Sequence, residues 1–512
     1  MATRVIIRPR EYHDSVRLMR VSQAVRLEPG VTEAMVMMAT PNNRKILAGS
    51  GLLTPEAEAA RPDDLVVALV AEDEAAADAA LRAAEAALTE QAGSGAAQVR
   101  PRTLDAARAA APEARIAAIS VPGAHAFGQA RRALELGLHV FLFSDNVPVE
   151  DELRLKEIAG EKGLLVMGPD CGTAIIGGAA LGFANRVARG PVGIAGASGT
   201  GMQEISSLLD TMGSGISQAI GTGGRDLSAA IGGRTMMQAL DLLAGDPATE
   251  VVVVTSKPPA PEVAEAVLDR CRAMGKPVVV NFVGAPARAA DGNLRFASTL
   301  AEAARLAAQL AGRPGDLPAA EGAEAWIAAA APAAGQRYLR GLYAGGTLAY
   351  EALALLGDRL GPIRSNLRSG ALGLDDPFRS QGHTVVDLGE DAFTQGRAHP
   401  MIDPDTRNRR ILAEAADPET ALLLMDLVIG YGAHDHPGAT LAATLAEARA
   451  LAAAGGRDLP VVVTLCGTRG DPQGLDEQIA ALTGAGALVA RNNAEAVALA
   501  ARMMEAHHAA TA

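Results

Sequence analysis

Apolar positions along this chain fall into two alternating arrangements. Short unbroken runs such as Val251-Val252-Val253-Val254, Leu422-Leu423-Leu424-Met425 and Val461-Val462-Val463 read as strands covered on both faces. Between them lie longer stretches whose apolar residues recur three and four apart. Met202, Ile205, Leu208, Leu209 and Met212 form one such stripe, the mark of a half-buried helix. Strands and helices that alternate in this way predict parallel sheets with crossover helices, an α/β fold. Residues 111–190 show the pattern in sequence: strand Ile116–Val121, helix His125–Leu136 closed by Gly137, strand Val140–Phe143, helix Val149–Glu161, strand Gly163–Met167. The last strand runs into Gly168-Pro169-Asp170-Cys171-Gly172-Thr173, a turn at a carboxyl end, where ligands of such sheets sit.

One design occurs twice. Gly193-Ile194-Ala195-Gly196-Ala197-Ser198-Gly199-Thr200-Gly201 leads from an apolar run into a helical stretch, and Gly341-Leu342-Tyr343-Ala344-Gly345-Gly346-Thr347-Leu348 does so again. Each is followed by matching segments in matching order. Gly245-Asp246-Pro247-Ala248-Thr249 before Val251 answers Ala416-Asp417-Pro418-Glu419-Thr420 before Ala421, and Lys276-Pro277-Val278 answers Leu459-Pro460-Val461. Two similar α/β domains in tandem are predicted, over residues 191–312 and 337–505, joined by a Pro-, Ala- and Gly-rich linker at 313–336 in which Trp326-Ile327 can pack. The tail after Met504 is expected to fray. Residues 1–110 read as a small α/β unit without a catalytic motif, a docking or capping domain. Its strands are Arg4–Arg8, Ala34–Thr40 and Asp64–Ala71, and its helices are Ser15–Leu27 and Glu72–Gln91. Asn42-Asn43 is the one place there that would face a site.

Composition narrows the function classes. A chain of 512 residues is long enough for about three to four domains. The net charge of -13 argues against sequence-independent nucleic-acid binding, which needs a basic face. Cys171, Cys271 and Cys466 are far apart and odd in number, so neither a disulfide framework nor a zinc site is expected. No metal site is assigned: His434-Asp435-His436 has ligand-like spacing but no third partner, and His507-His508 sits in the tail. The amino terminus lacks the apolar core of a signal peptide, and no uncharged apolar stretch is long enough for a membrane span. A cytoplasmic protein is expected.

Each repeated turn offers unpaired backbone amides and the positive end of a helix dipole. Phosphate binding is therefore assigned to Ser198, Gly199, Thr200 and Gly201 in the first copy and to Gly345, Gly346 and Thr347 in the second. One helix start contributes up to ~2 kcal/mol to holding an anion in a partly buried place. Hydrogen bonds to a charged group add roughly 1.5–3 kcal/mol each. Two starts aimed at one phosphate hold it without a lysine, which suits a chain whose only lysines are Lys45, Lys156, Lys162, Lys257 and Lys276. Gly223, Gly224 and Arg225 follow another short strand, and the arginine fork suits a substrate carboxylate. Their counterpart, Asp387-Leu388-Gly389-Glu390-Asp391, is more acidic. Arg364-Ser365-Asn366 and His399 to Pro404 belong to an extension of the second copy only, and such loops often carry specificity.

Residues 111–300 resemble the alpha subunit of succinyl-CoA synthetase and related nucleotide-forming acyl-CoA ligases. The strings that carry the likeness are Ile119-Ser120-Val121-Pro122, Met167-Gly168-Pro169-Asp170-Cys171, Val192-Gly193-Ile194 through Ser198-Gly199-Thr200, and Gly245-Asp246-Pro247-Ala248-Thr249-Glu250. Residues 337–500 resemble the carboxyl-terminal domain of that enzyme's beta subunit. Their fusion behind a distinct amino-terminal unit is similar to the FdrA family. The resemblance implies a Rossmann-like CoA-binding-type domain at 111–190 followed by two flavodoxin-like ligase-type domains. It also implies that Ser198-Gly199-Thr200 and Gly345-Gly346-Thr347 take the place of the helix starts that cradle a phosphohistidine in the synthetase. Three parts of the synthetase are missing: no histidine lies between Gly284 and Leu300, no glycine-rich CoA loop is recognisable, and the ATP-grasp domain has no counterpart.

Transfer to or from an acyl phosphate needs only the cradle. The FdrA likeness implies a subunit of a carbamoyltransferase complex that acts on oxamate or oxalurate and carbamoyl phosphate in purine and allantoin catabolism, assembled with other proteins. On that reading Arg225 holds the oxamate carboxylate and Asp170 is the guess for a catalytic base. Two alternatives stay open: a nucleotide-dependent acyl-CoA ligase, to which CoA and nucleotide would belong as cofactors, completed by partner subunits; and a non-catalytic scaffold that binds phosphate-bearing metabolites.

Overall fold

The repeat in the sequence is a repeat of topology. The computed structural model describes residues 2–11, 13, 15–89, 101–394 and 397–511. The chain forms two compact units, residues 1–100 with 395–398, and residues 101–394 with 399–512.

In the second unit, a seven-stranded sheet has the order Leu294–Phe296, Val278–Phe282, Val251–Ser256, Arg189–Ala197, Ile216–Gly221, Thr173–Ile176, Ala179–Gly182. A six-stranded, wholly parallel sheet has the order Ile363–Arg364, His383–Asp387, Tyr338–Tyr343, Thr420–Val428, Val461–Cys466, Leu488–Ala490. In both, the glycine-rich first strand lies inside its sheet, Arg189–Ala197 between Ile216–Gly221 and Val251–Ser256 and Tyr338–Tyr343 between His383–Asp387 and Thr420–Val428, so the strand order reverses there, the point at which such sheets bind ligands beyond the carboxyl ends. The matched sequence runs take matching slots. Val251–Ser256 and Thr420–Val428 each pair with the glycine-rich strand on one side, and Val278–Phe282 and Val461–Cys466 lie next beyond them. These strands carry unbroken apolar runs because helices cover both faces, and their few polar residues, such as Asp426, cluster toward the carboxyl ends; every residue from Val251 to Val254 is at most 1% exposed.

The two repeated domains share a core. Ile205, Leu208 and Leu209 of helix Gly199–Thr211 belong to one apolar cluster with Leu348, Ala352 and Leu356 of helix Gly346–Leu360 and with Val497 and Ala500 of helix Asn493–Thr511. Gly196 lets the first helix lie on its strand, since a Cβ there would stand 2.7 Å from Met202 Cγ. A hairpin at the sheet edge, Thr173–Ile176 with Ala179–Gly182, turns on Gly177 and Gly178 at φ 60 and 87, a Gly-Gly hairpin signal that our sequence reading did not use.

Ahead of these domains stands a parallel sheet of Ile116–Ile119, His139–Leu142 and Val166–Met167, with helices Gly123–Glu135 and Val149–Lys162. A buried ion cluster ties it to the first repeated domain. Lys156 Nζ lies 2.7 Å from Asp226, 2.9 Å from Glu152 and 3.0 Å from the Thr222 carbonyl. Helix Leu104–Ala110, read from sequence with the amino-terminal domain, belongs to this second unit.

The first unit is an antiparallel sheet with Leu65–Ala71 between Ala2–Arg8 and Val31–Met38. Helices Ser15–Arg26 and Glu74–Thr89 cover one face through Leu18, Val21, Val25, Ala80 and Leu88, and Leu47, Leu52 and Ala57 close the other. Gln91 lies outside the described residues, and so does the side chain of Asn42. Asn43 Nδ2 donates to the Met38 carbonyl at 2.8 Å.

Within segment 313–336, Trp326 and Ile327 pack as expected, on helix Ala323–Ala329, and Trp326 Nε1 donates to the Gly486 carbonyl at 3.2 Å. One expectation is corrected: the tail does not fray. Its helix runs to Thr511 because Met503 and Met504 extend the buried stripe and His507 Nε2 meets the Gln336 carbonyl at 2.6 Å.

Candidate functional site

Strand Arg189–Ala197 passes through Ser198, in an extended conformation, into helix Gly199–Thr211. Ser198 Oγ caps that helix by accepting the Gly201 N–H at 3.2 Å. In the second copy Gly345 takes the cap position of helix Gly346–Leu360 without a side chain. The two starts meet: Ser198 Oγ lies 2.7 Å from Thr347 Oγ1. A Cβ on Gly345 would stand 2.9 Å from Thr200 Cγ2, and one on Gly201 3.1 Å from Thr347 Cγ2, so this approach requires both glycines. All seven residues assigned to phosphate binding are thus in one place. Gly199, Thr200 and Gly346 are half-buried there and the rest are buried.

Residues outside that assignment complete the place. Thr173, 2% exposed, has a hydroxyl with no hydrogen-bond partner among the described residues, 3.3 Å from where a Gly199 Cβ would stand. Lys257, which follows strand Val251–Ser256, sits 3.2 Å from the Cβ position of Gly346 and 3.9 Å from Glu390. Asp426 ends none of its strand's pairing but turns its carboxylate to the second turn, where it accepts the Ala344 and Gly345 N–H groups, both at 2.7 Å. Burial raises its pKa, and Arg407, whose Nη1 donates to the Asp426 carbonyl at 2.9 Å, opposes the rise.

Asp387 ends strand His383–Asp387 and lies against Gly346. Its Oδ1 accepts the Gly389 N–H at 2.9 Å. Burial pushes its carboxyl up to about 7 despite the opposing charge of Lys257. Asn366 clamps the Asp387 backbone, donating to its carbonyl at 2.8 Å and accepting its N–H at 2.9 Å. His399 Nε2 stands 2.6 Å from the Cβ position of Gly389, and its ring packs on Phe183 at 5.5 Å between centroids. Burial and then Arg407 push this imidazole down to about 4. Both segments of the extension therefore converge on Asp387.

Asp170 stands at the rim, in the left-handed region at φ 52, with Oδ2 3.2 Å from the Cβ position of Gly224. It reaches solvent on one side. The protein packed round the rest pushes its carboxyl up to about 6; Lys257 opposes this, while Asp145, Glu390 and Asp391 add to it. Gly223 packs on the Gly168-Pro169 backbone, 2.6 Å from the Pro169 carbonyl oxygen at its Cβ position.

The expected role of Arg225 is corrected. Its Nε donates to Glu152 at 3.1 Å and its Nη2 to the Val147 carbonyl at 2.7 Å, so the fork is engaged by its own fold rather than offered to a carboxylate. Glu152 is buried and shared with Lys156, and that draws the guanidinium inward. Among the described residues, no group of three or more His, Cys, Asp or Glu could hold a metal ion.

Sequence reading gave no role to Lys257, Thr173 or Asp387, whereas Asn366 and His399 fall in the extension it singled out. Lys257 and Asp387 had a usable signal, since each directly ends or follows a strand of the repeat at its carboxyl end. The assembled place offers helix-start amides, hydroxyls, one ammonium and a carboxyl that exchanges its proton near neutral pH. That set suits holding a small anion and moving one proton beside it.

Models of known families match three stretches: a CoA-ligase model at 342–503, an AllF heavy-metal-associated domain model at 1–103, and a CoA binding domain model at 188–284. The last falls on the first repeated domain and not on 111–190. The chain is 45% identical over 498 residues to the protein "Uncharacterized protein YahF" of Escherichia coli, covering 96% of this chain and 97% of that one. It is 31% identical over 155 residues to a malate–CoA ligase subunit alpha of Methylorubrum extorquens, 29% of this chain and 51% of that one. A solved dinucleotide-forming acetyl-coenzyme A synthetase 1 of Ca. Korarchaeum cryptofilum, in complex with phosphate and ADP, aligns over 78% of this chain and 83% of that one, at 17% identity and a TM-score of 0.32.

Proposed function

This chain belongs to the FdrA family, in which succinyl-CoA-synthetase-like domains are fused in one chain, and from that premise we propose that it is a subunit of a carbamoyltransferase complex acting on oxamate or oxalurate and carbamoyl phosphate. The phosphate lies between the helix starts at Ser198 to Gly201 and Gly345 to Thr347, with Lys257 beside it. The observation that carries the reading is the 2.7 Å contact of Ser198 Oγ with Thr347 Oγ1, which joins the two starts. The stretch that follows strand Val278–Phe282 has no histidine from Gly284 to Leu300, so the cradle is left for the phosphate of a substrate. Catalysis then consists of orienting the acceptor and stabilising the leaving phosphate. Partner proteins supply the rest of the complex. No helix among the described residues is long and apolar enough to cross a membrane.

A second reading has its own support. The CoA-ligase and CoA binding models, and the likeness to a malate–CoA ligase subunit, favour an acyl-CoA ligase completed by partner chains. One experiment separates the two. The chain is co-expressed with its neighbouring genes, and each purified assembly is given oxalurate and phosphate. Release of carbamoyl phosphate is expected. The same assemblies are incubated with γ-labelled ATP; acid-labile label on this chain, with no carbamoyl phosphate formed, would reverse the choice.

A further inference from the structure

We propose that Asp387 is the proton carrier of the transfer, taking the proton of the acceptor nitrogen and handing it to the leaving phosphate. This rests on the carbamoyltransferase reading. The acceptor nitrogen attacks the carbamoyl carbon and the new C–N bond forms. The bond from that carbon to the bridging oxygen breaks, and its electron pair leaves with the phosphate. The nitrogen's proton passes to Asp387 and from there to phosphate oxygen, so neither proton nor electron is left over. In the direction of phosphorolysis every step reverses.

The geometry selects this carboxylate from its neighbours. Its Oδ1 is fixed by the Gly389 N–H, while Oδ2 lies against Gly346, the first residue of the second helix, and accepts no hydrogen bond among the described residues. The Asn366 clamp on the backbone on either side holds it there. Asp426 is already committed, with one oxygen to the Ala344 N–H and the other to the Gly345 N–H. His399 Nδ1 accepts the Met401 N–H at 3.2 Å, which leaves its ring neutral with the proton on Nε2, a donor and not a base. Glu390 is 43% exposed and turned to Lys257, and Asp170 is at the rim beside Gly224. Thr173 adds a buried hydroxyl with no hydrogen-bond partner among the described residues, beside Gly199 at the first helix start.

The charged and titratable groups facing Asp387 are Lys257, Glu390, Asp426 and His399, drawn from every element packed against it. Together with burial they set a carboxyl that is populated in both forms near neutral pH, as a group that first takes and then gives a proton requires.

The test uses the purified complex and Asp387→Asn. Turnover of oxalurate with phosphate is expected to fall by ~10²–10⁴-fold, the usual reach of a positioned acid–base group. Binding of inorganic phosphate, followed by calorimetry, is expected to stay equal or tighten, because a negative charge beside the anion is gone. The limb near pH 7 in the pH profile should vanish, and Asp387→Glu should recover part of the rate. Turnover within threefold of the parent overturns the inference and leaves the functional reading intact. Loss of phosphate binding in step with turnover, or an altered melting temperature in both variants, assigns Asp387 a structural role and overturns it also. A parent complex that binds phosphate yet forms no carbamoyl phosphate defeats the functional reading itself, whatever the variants do.

Discussion

Replacing Gly346 with alanine separates the helix start as a fold element from the helix start as a binding floor. Alanine in a helix is ordinarily worth roughly 0.5–1 kcal/mol over glycine, and Gly346 does not have the positive φ that would oppose it. The new methyl would stand 3.2 Å from Lys257 Nζ and against the Asp387 carboxylate. Overpacking of that kind costs about 1–3 kcal/mol, which takes back the propensity gain and leaves stability near or somewhat below that of the parent. The effect on an anion is larger. The methyl covers one helix-start amide and displaces the ammonium, and a hydrogen bond to a charged group contributes roughly 1.5–3 kcal/mol. At about 1.4 kcal/mol per decade, phosphate binding should weaken by about 10- to 150-fold. Gly357 in the same helix is the control. A Cβ there meets nothing within 4 Å, so Gly357→Ala should stabilise by roughly 0.5–1 kcal/mol and bind phosphate like the parent. Calorimetric titration with inorganic phosphate and urea unfolding give both quantities. A Gly346→Ala protein that binds phosphate with the parent Kd would refute the cradle.

Three further outcomes follow from the same geometry. Asn366→Ala removes two hydrogen bonds to the Asp387 backbone and should cost about 1–3 kcal/mol in urea unfolding; a change below 0.5 kcal/mol (roughly the level of ordinary surface substitutions) would show that Asp387 is held by something else. Lys156→Met leaves Asp226 buried without its cation, while Glu152 keeps Arg225, and should destabilise by about 3–5 kcal/mol, read as a drop in urea midpoint at constant slope. Glu204, whose Oε1 accepts the Asn493 N–H at 2.8 Å, is pushed up to about 8 by burial, from an ordinary value of 4.5. Between those values the folded state binds the extra proton, so the group's contribution is complete below pH 4.5 and is lost as pH rises to 8. Glu204→Gln should therefore flatten the fall of melting temperature between pH 5 and 8, and an unchanged slope would disprove the assignment.

The local part of this protein was legible before any coordinates. The strands and helices of the repeat followed from apolar periodicity, because strands covered on both faces carry unbroken apolar runs and helices covered on one side must be striped. The turn chemistry of Ser198 and the paired glycines was equally plain, since capping depends on residues two or three positions apart. Where the reading went astray, a distant partner decided. Arg225 looked free for a carboxylate until Glu152, on a helix of the preceding sheet, claimed its fork. The tail looked frayed until the Gln336 carbonyl gave His507 a partner.

The duplication, its parallel strands with crossover helices and the two helix starts were thus set down by the chain itself. What the tertiary structure alone decided is the company those starts keep. Ser198 meets Thr347 across 149 positions of sequence. Lys257 of one domain reaches Gly346 of the other, and Asn366 clamps the backbone of Asp387 beside them. Periodicity reports only which way a side chain faces on its own element. Charge, burial and proton affinity depend on which elements pack together, and that is a property of the folded whole.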